Sequence, residues 1–275
     1  MDRTLLTKAQ RWELSDCLAR DRLPSVNSAC APVHPSRTLY ARFWKRGIDI
    51  VVSAVALIIT LPINLVAAVM TLKDVGRPIF FKQNRVGKDG RLFELIKFRN
   101  MTNERDGRGE LLPPSQRVTR FGRFMRKTSL DELLNFWSVF KGDMSLIGPR
   151  PLVPEYTDRY SKRHKMRLTV RPGLECPPRE LTDHAWTWQE QFENDVWYVE
   201  HVSFRTDCRM MLNLARFALD RKNSSVRASA ERDVFVGYDA DGNAIGLDQL
   251  DQPYIDAFME GFSKGGSRKS DGCVG

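Results

Sequence analysis

The chain has 275 residues, enough for one principal core with accessory segments. Its 43 Lys+Arg against 34 Asp+Glu leave a net charge of +9, which points to an anionic partner: nucleic acid, a phosphorylated small molecule or a membrane surface. Five cysteines with no CxxC pair argue against a zinc site and a disulfide framework, and fit a reducing compartment.

Residues 1–37 carry charges throughout and have no apolar core of signal-peptide type, so they read as an exposed, partly disordered leader in which a helix is open. From Ile48 to Leu72 the only charge is Asp49, and the run matches the ~20 residues that cross a bilayer. Pro62 interrupts it and Asn64 follows with an amide that disfavours hydrocarbon. Basic residues flank both ends, Arg42, Lys45 and Arg46 before and Lys73, Arg77 and Lys82 after, although a simple span concentrates them on the cytoplasmic side. A helix that breaks at Pro62, dips into one leaflet and returns satisfies both ends; a kinked full span is the alternative.

Beyond it, "IFFKQNRVGKDGRLFELIKFRNM" predicts two strands around a Gly87–Gly90 turn, with Lys97 and Arg99 on one face. Residues 103–116 read as a loop. Arg117, Arg120, Arg123 and Arg126 recur every three residues and predict a basic helix, either solvated or facing phosphates. Ser129 and Glu132 have the spacing of a capping box ahead of Leu130, Leu133, Leu134 and Trp137, with Lys141-Gly142 as the helix end. Asp131 and Glu132 are thereby explained as ordinary first-turn acids. Yet Arg126, Lys127 and the rigid turn Gly148-Pro149-Arg150-Pro151 surround them, and a carboxylate at a helix N-terminus among cations stays ionised, as a nucleophile or metal ligand must.

A second basic stretch, Arg159 to Arg171, leads into a turn at Arg171-Pro172-Gly173. Val196 to Leu219 predicts an amphipathic basic helix suited to the core or to a membrane interface. Farther on, Asp241-Gly242 predicts a hairpin; Asp239, Asp241 and Asn243 open like a calcium loop, but Ala244 stands where that loop requires glycine. The last residues read as disordered.

"KRGIDIVVSAVALIITLPINLVAAV", "FGRFMRKTSLDELLNFWSVFKGDMSLIGPRPL", "RLTVRPGL" and "WYVEHVSFRTDCRMML", in this order over residues 39–219, resemble the bacterial sugar transferases, membrane-associated polyprenyl-phosphate phosphoglycosyl transferases. The resemblance implies transfer of a sugar 1-phosphate from a UDP-sugar to a polyprenyl (undecaprenyl) phosphate, with release of UMP and initiation of a surface glycan. Asp131 matches the nucleophile that forms a covalent phosphosugar, and Glu132 a residue that binds Mg²⁺. Lys97, Arg126, Arg150 and Pro151 match positions around the diphosphate, and Asp207 a further acidic position. The resemblance also implies a bacterial inner membrane location with the catalytic domain on the cytoplasmic face, contact with inner membrane lipid and no nucleic acid; a homodimer stays open.

The expected fold is α/β, mostly helical: a small catalytic domain with a short β-hairpin, a re-entrant membrane helix and interfacial amphipathic helices. Its expected divisions are 1–37, a leader; 38–72, the membrane segment; 73–219, the catalytic domain; and 220–275, an extension with a hairpin and a disordered end. This chain departs from the family at Leu134-Asn135 and over residues 175–186, "ECPPRELTDHAW", which bears on sugar identity. A membrane scaffold that has lost turnover is the rival reading. A nucleic-acid binder rests on charge alone and leaves Ile48–Leu72 unexplained.

Overall fold

A computed structural model describes residues 6–107, 109, 111–179, 184, 186–219 and 233–264. The chain is mostly helical, and its described strands form three two-stranded sheets. The first helix, α1 (Lys8–Ala29), is capped by Thr7, whose hydroxyl accepts from Gln10 N–H. Leu14, Cys17 and Leu18 on α1 are fully buried, so the leader is a packed element rather than an exposed one. Its covering comes from the other end of the chain, described below.

A π-helical turn, Tyr40–Trp44, runs into α2 (Lys45–Val75). Residues 40–75 make the one described helix long and apolar enough to cross a membrane. Pro62 lies inside α2, which continues through it: the expected break at that residue does not appear. Nearby, Thr60 donates to the Ala56 carbonyl at 2.7 Å and Asn64 Nδ2 to Thr60 Oγ1 at 3.3 Å.

Both ends of α2 are fastened to the same globular unit. Near its start, Arg46 donates to the Val139 and Phe140 carbonyls at 2.6 and 2.7 Å, and Asp49 Oδ1 accepts from Ser145 Oγ and Leu146 N–H. At its end, Thr119 donates to Asp74 Oδ2 at 2.5 Å, and the Arg99 guanidinium donates to the carbonyls of Val75 and Gly76. Between these anchors Ile58, Ile59, Leu61, Leu65 and Val66 are exposed.

The hairpin forms as the sequence predicts, β1 (Phe80–Val86) pairing antiparallel with β2 (Leu92–Phe98). Helix α3 (Arg120–Thr128) begins one turn later than the arginine spacing predicts, behind the Thr119 cap. Gly122 lets α3 touch the preceding segment, because a Cβ there would lie 2.1 Å from the Asn100 carbonyl oxygen. After a 3₁₀ turn, Leu130–Glu132, comes α4 (Asn135–Lys141).

Ser129 is where expectation and structure part. It is left-handed (φ 55°, ψ 20°), its N–H bonds the carbonyls of Met125 and Arg126, and its side chain caps nothing. Ser129 therefore closes α3, and the predicted Ser129–Glu132 capping box is absent.

Parallel strands β3 (Ser145–Ile147) and β4 (Gly173–Glu175) join the two turn motifs. Gly148 and Gly173 meet backbone to backbone: a Cβ on Gly173 would lie 2.2 Å from Gly148 N. Helices α5 (Trp188–Glu200) and α6 (Phe204–Leu219) follow, then the predicted hairpin, β5 (Phe235–Tyr238) with β6 (Ala244–Gly246), and α7 (Gln252–Lys264). Val236, Ile245, Ile255 and Phe258 from this end bury Leu14 and Leu18 of α1. On the hairpin's other side Phe235 and Tyr238 pack with Tyr156, Tyr160, Trp188 and Phe192. Burial of each such side chain is worth about 1.5–3 kcal/mol, so the two chain termini add a real core to the central unit. The extreme end, expected to be disordered, lies outside the described residues.

Candidate active site

Asp131 and Glu132 stand on the 3₁₀ turn between α3 and α4, not in the first turn of a helix. Asp131 is buried, and its Oδ2 accepts from Asn100 Nδ2 at 2.8 Å. Asn100 in turn accepts, on Oδ1, from Arg126 Nε at 3.2 Å. Arg126 therefore reaches the acid through an amide. Glu132 Oε1 takes two cations directly, Lys97 Nζ at 3.1 Å and Arg150 Nη2 at 3.2 Å.

These surroundings drive the neighbouring acids apart. Burial, then the charge of Glu132, pushes the Asp131 carboxyl above its usual value, with Lys97 and Arg126 pulling back. Burial also works against Glu132, but Arg150 and Lys97 outweigh it and hold its pKa at about 2. The helix N-terminus expected to hold Asp131 is replaced by a 3₁₀ turn. Glu132 is the firmly ionised member, and Asp131 is the more basic one.

The strand β2 ends next to this turn and supplies Lys97; Arg99, expected on the same face, instead binds the end of α2. The Gly148–Pro151 turn presents Arg150, whose carbonyl accepts from Arg167 Nη2 at 2.8 Å. Arg167 is itself buried, paired with Asp195 at 2.7 Å and bonded to Tyr160 Oη at 3.2 Å. The Pro151 carbonyl accepts from Arg85 Nη1 at 3.3 Å. No described carboxylate pairs with Arg85, and burial and the charge of Arg150 lower its pKa.

Lys97, Arg126, Arg150, Asp131 and Glu132 are brought together, and Pro151 enters through its carbonyl. Asp207 sits in a different network: its carboxylate accepts from Tyr40 Oη and Lys45 Nζ, both at 2.6 Å, and from Tyr198 Oη at 2.8 Å. None of these bonds reaches Asp131 or Glu132. That arrangement ties α6 to the start of the apolar helix. Sequence reasoning missed Asn100, Arg85 and Arg167. Asn100 lies in the quoted "KFRNM", three residues past Lys97, and that proximity was the available signal.

After β4 the chain is pinned by helix side chains. Asn194 Nδ2 donates to Cys176 Sγ at 3.4 Å and to the Pro177 carbonyl at 3.3 Å, and Asn213 Nδ2 to the Pro178 carbonyl at 3.0 Å. Residues 180–183 and 185 of the divergent segment lie outside the described residues. Chemically, the site offers a basic buried carboxylate, an acidic one beside it and cations on several sides, which suits transfer between phosphates.

Comparison with known proteins agrees with this chemistry. Residues 40–221 match the model of the bacterial sugar transferase family. Over 175 residues the chain is 41% identical to the uncharacterized sugar transferase EpsL of Bacillus subtilis, covering 64% of this chain and 87% of EpsL. It is 35% identical to the UDP-N-acetylgalactosamine-undecaprenyl-phosphate N-acetylgalactosaminephosphotransferase of Aeromonas hydrophila, over 66% of this chain and 44% of that one. With the undecaprenyl-phosphate galactose phosphotransferase of Salmonella typhimurium the identity is 34%, over 66% and 41%. The chain thus spans less than half of the latter two relatives.

Proposed function

The chain belongs to the bacterial sugar transferase family, and on that premise we propose that it transfers a sugar 1-phosphate from a UDP-sugar to undecaprenyl phosphate, releasing UMP. The observation that carries this reading is the adjacent pair Asp131 and Glu132 with opposed pKa shifts inside a ring of Lys97, Arg126 and Arg150. Relatives named as transferases of galactose, N-acetylgalactosamine and glucose phosphates support the reaction class.

In this reading an Asp131 carboxylate oxygen attacks the β-phosphorus. A bond forms between that oxygen and phosphorus, and the bond to the bridging oxygen breaks with the electron pair leaving on UMP. A phosphate oxygen of the lipid then attacks the same phosphorus and releases Asp131. Raised basicity makes Asp131 the better nucleophile of the pair, and Asn100 holds the oxygen that is not attacking. Arg150 and Lys97 lie where charge develops on the phosphoryl oxygens.

Glu132 would hold a Mg²⁺ ion. Magnesium uses one or two protein carboxylates and completes its shell with water and substrate phosphates. Glu132 supplies one such carboxylate, with only its Oε1 engaged by Lys97 and Arg150 in the hydrogen bonds described above, and no group of three metal-ligating side chains exists among the described residues. Bound there, the ion would neutralise charge on the diphosphate oxygens.

Placement at the membrane follows from α2. Fastening at Arg46 and Asp49 on one side and at Asp74 on the other supports a re-entrant course in which α2 bends about Pro62 while staying helical, since a straight span would carry one end away from the domain. Trp44, Trp137, Phe140 and Phe204 are exposed and suit an interfacial belt that sets the site at headgroup depth, on the cytoplasmic face of the inner membrane. The product lipid would begin assembly of a surface glycan.

The test is UMP release and labelled-lipid formation by the full chain in membranes supplied with UDP-sugars, undecaprenyl phosphate and Mg²⁺. Wild type should form both products, and Asp131→Asn neither. Normal product from Asp131→Asn removes the nucleophile assignment. No product from wild type with any UDP-sugar would favour the scaffold reading.

A further inference from the structure

The last residue of β4 is Glu175, whose carbonyl accepts Gly148 N–H at 3.2 Å. Its position is thereby locked to the turn that carries Arg150, and the following Cys176-Pro177-Pro178 is held by Asn194 and Asn213. The Glu175 carboxylate approaches Arg150 Nη1 at 3.7 Å, while Glu132 takes Nη2 at 3.2 Å. One guanidinium thus stands between two acids. The Glu132 contact has hydrogen-bond length and the Glu175 contact does not. Glu175 is also about one-third open to solvent, at 34%.

Such an arrangement has a consequence once a diphosphate arrives. Phosphate forms short charge-assisted bonds to arginine, so it displaces the looser carboxylate. Glu175 is then left beside an anion, which costs free energy unless a donor meets it. The group attached to the β-phosphate is the sugar, and its hydroxyls or amide N–H are the donors closest to hand. A backbone locked at Gly148 keeps the carboxylate from swinging far away.

We propose that Glu175 is a specificity-determining residue that accepts a hydrogen bond from a hydroxyl or N-acetyl amide of the transferred sugar, and so selects among UDP-sugars. This rests on the UDP-sugar reading above. Glu175 engages the opposite terminal nitrogen of Arg150 from Glu132, so it reaches that guanidinium from a different side than the acid assigned to the metal, which favours a sugar contact over a metal contact.

The experiment is calorimetric titration of the full chain in lipid nanodiscs with UDP, UDP-glucose, UDP-galactose, UDP-N-acetylglucosamine and UDP-N-acetylgalactosamine, at fixed Mg²⁺, for wild type, Glu175→Gln and Glu175→Ala. A lost hydrogen bond to a charged acceptor should weaken the preferred UDP-sugar roughly 10- to 100-fold. UDP alone should bind equally well or more tightly, because Arg150 loses a competing carboxylate. Equal loss for UDP and every UDP-sugar, or a changed Mg²⁺ requirement, would assign Glu175 to the diphosphate or the metal and overturn the proposal. Unchanged affinities would overturn it too. Failure of wild type to bind UDP at all would overturn the functional reading, and this inference with it.

Discussion

Asn100 links Asp131 to Arg126 through its two amide atoms, donating to the carboxylate at 2.8 Å and accepting from the guanidinium at 3.2 Å. The amide can point only one way in this bridge: its nitrogen must face the acid and its oxygen the cation. Asn100→Ala should therefore lower kcat about 10- to 100-fold, since a buried carboxylate loses its donor and Arg126 its registration. Steady-state UMP release measures this. Asn100→Asp should be worse, because it sets a second negative charge against Asp131. A variant with wild-type kcat would remove Asn100 from the site.

The opposed pKa shifts predict how rate and stability respond to pH. Asp131 has a folded pKa above its unfolded value, so its ionised form is disfavoured by folding. Full stability from this group is present below the unfolded pKa, near 4, and is lost as pH rises through the folded value. Asp131→Asn removes that loss, so its melting temperature at pH 8 should equal or exceed that of wild type while activity falls by on the order of 10³-fold or more. Glu132 runs the other way: its contribution is present above about 4.5 and disappears as pH falls toward about 2. Acid inactivation should accordingly show an early limb from protonation of Asp131, absent from the unfolding curve, and a later limb shared by both. Coincident limbs in rate and unfolding would contradict the assignment.

Phe235 contacts Tyr156, Trp188 and Phe192 with ring centroids 5.0–5.6 Å apart. Phe235→Ala should cost about 3–5 kcal/mol, the range for deleting a buried aromatic ring. Denaturant unfolding of the detergent-solubilised chain measures it. A cost below about 1 kcal/mol would mean that the terminal segments do not share the central core.

If α2 returns to the leaflet it entered, cysteines introduced at Arg42 and at Arg77, on either side of the helix, should react with an impermeant maleimide from the same side of intact cells or vesicles. Labelling from opposite sides identifies a full span. The apolar length alone permits either outcome.

Much of this architecture was legible because it is local. Twenty-five nearly uncharged residues declare α2, the Gly87–Gly90 turn declares the first hairpin, and Asp241-Gly242 the last. The misreadings also have physical causes. Ser129 and Glu132 have capping-box spacing, but two short helices abut there, and the backbone N–H of Ser129 satisfies carbonyls of the first instead of opening the second. A proline removes one hydrogen bond yet need not end a helix, and α2 carries Pro62 with helical backbone on both sides. Of the candidate site, Asp131, Glu132, Lys97, Arg126 and Arg150 were readable from motif. Asn100 and Arg167 act across 31 and 17 residues through contacts that no sequence period encodes. The pairing of α1 with the C-terminal hairpin was least visible, since it joins Leu14 and Leu18 near one end of the sequence to Val236 near the other, which no local pattern links.

The double fastening of α2 makes its length a matter of phase. Each residue added to an α-helix turns everything after it by about 100° and advances it about 1.5 Å. An anchor free at one end absorbs such an insertion by sliding in the lipid. Here Asp49 and Asp74 are both engaged, so an added residue between them would swing one acid away from its partner. A screen of single-residue insertions should find this stretch intolerant at almost every position, more like a gear tooth count than a tether.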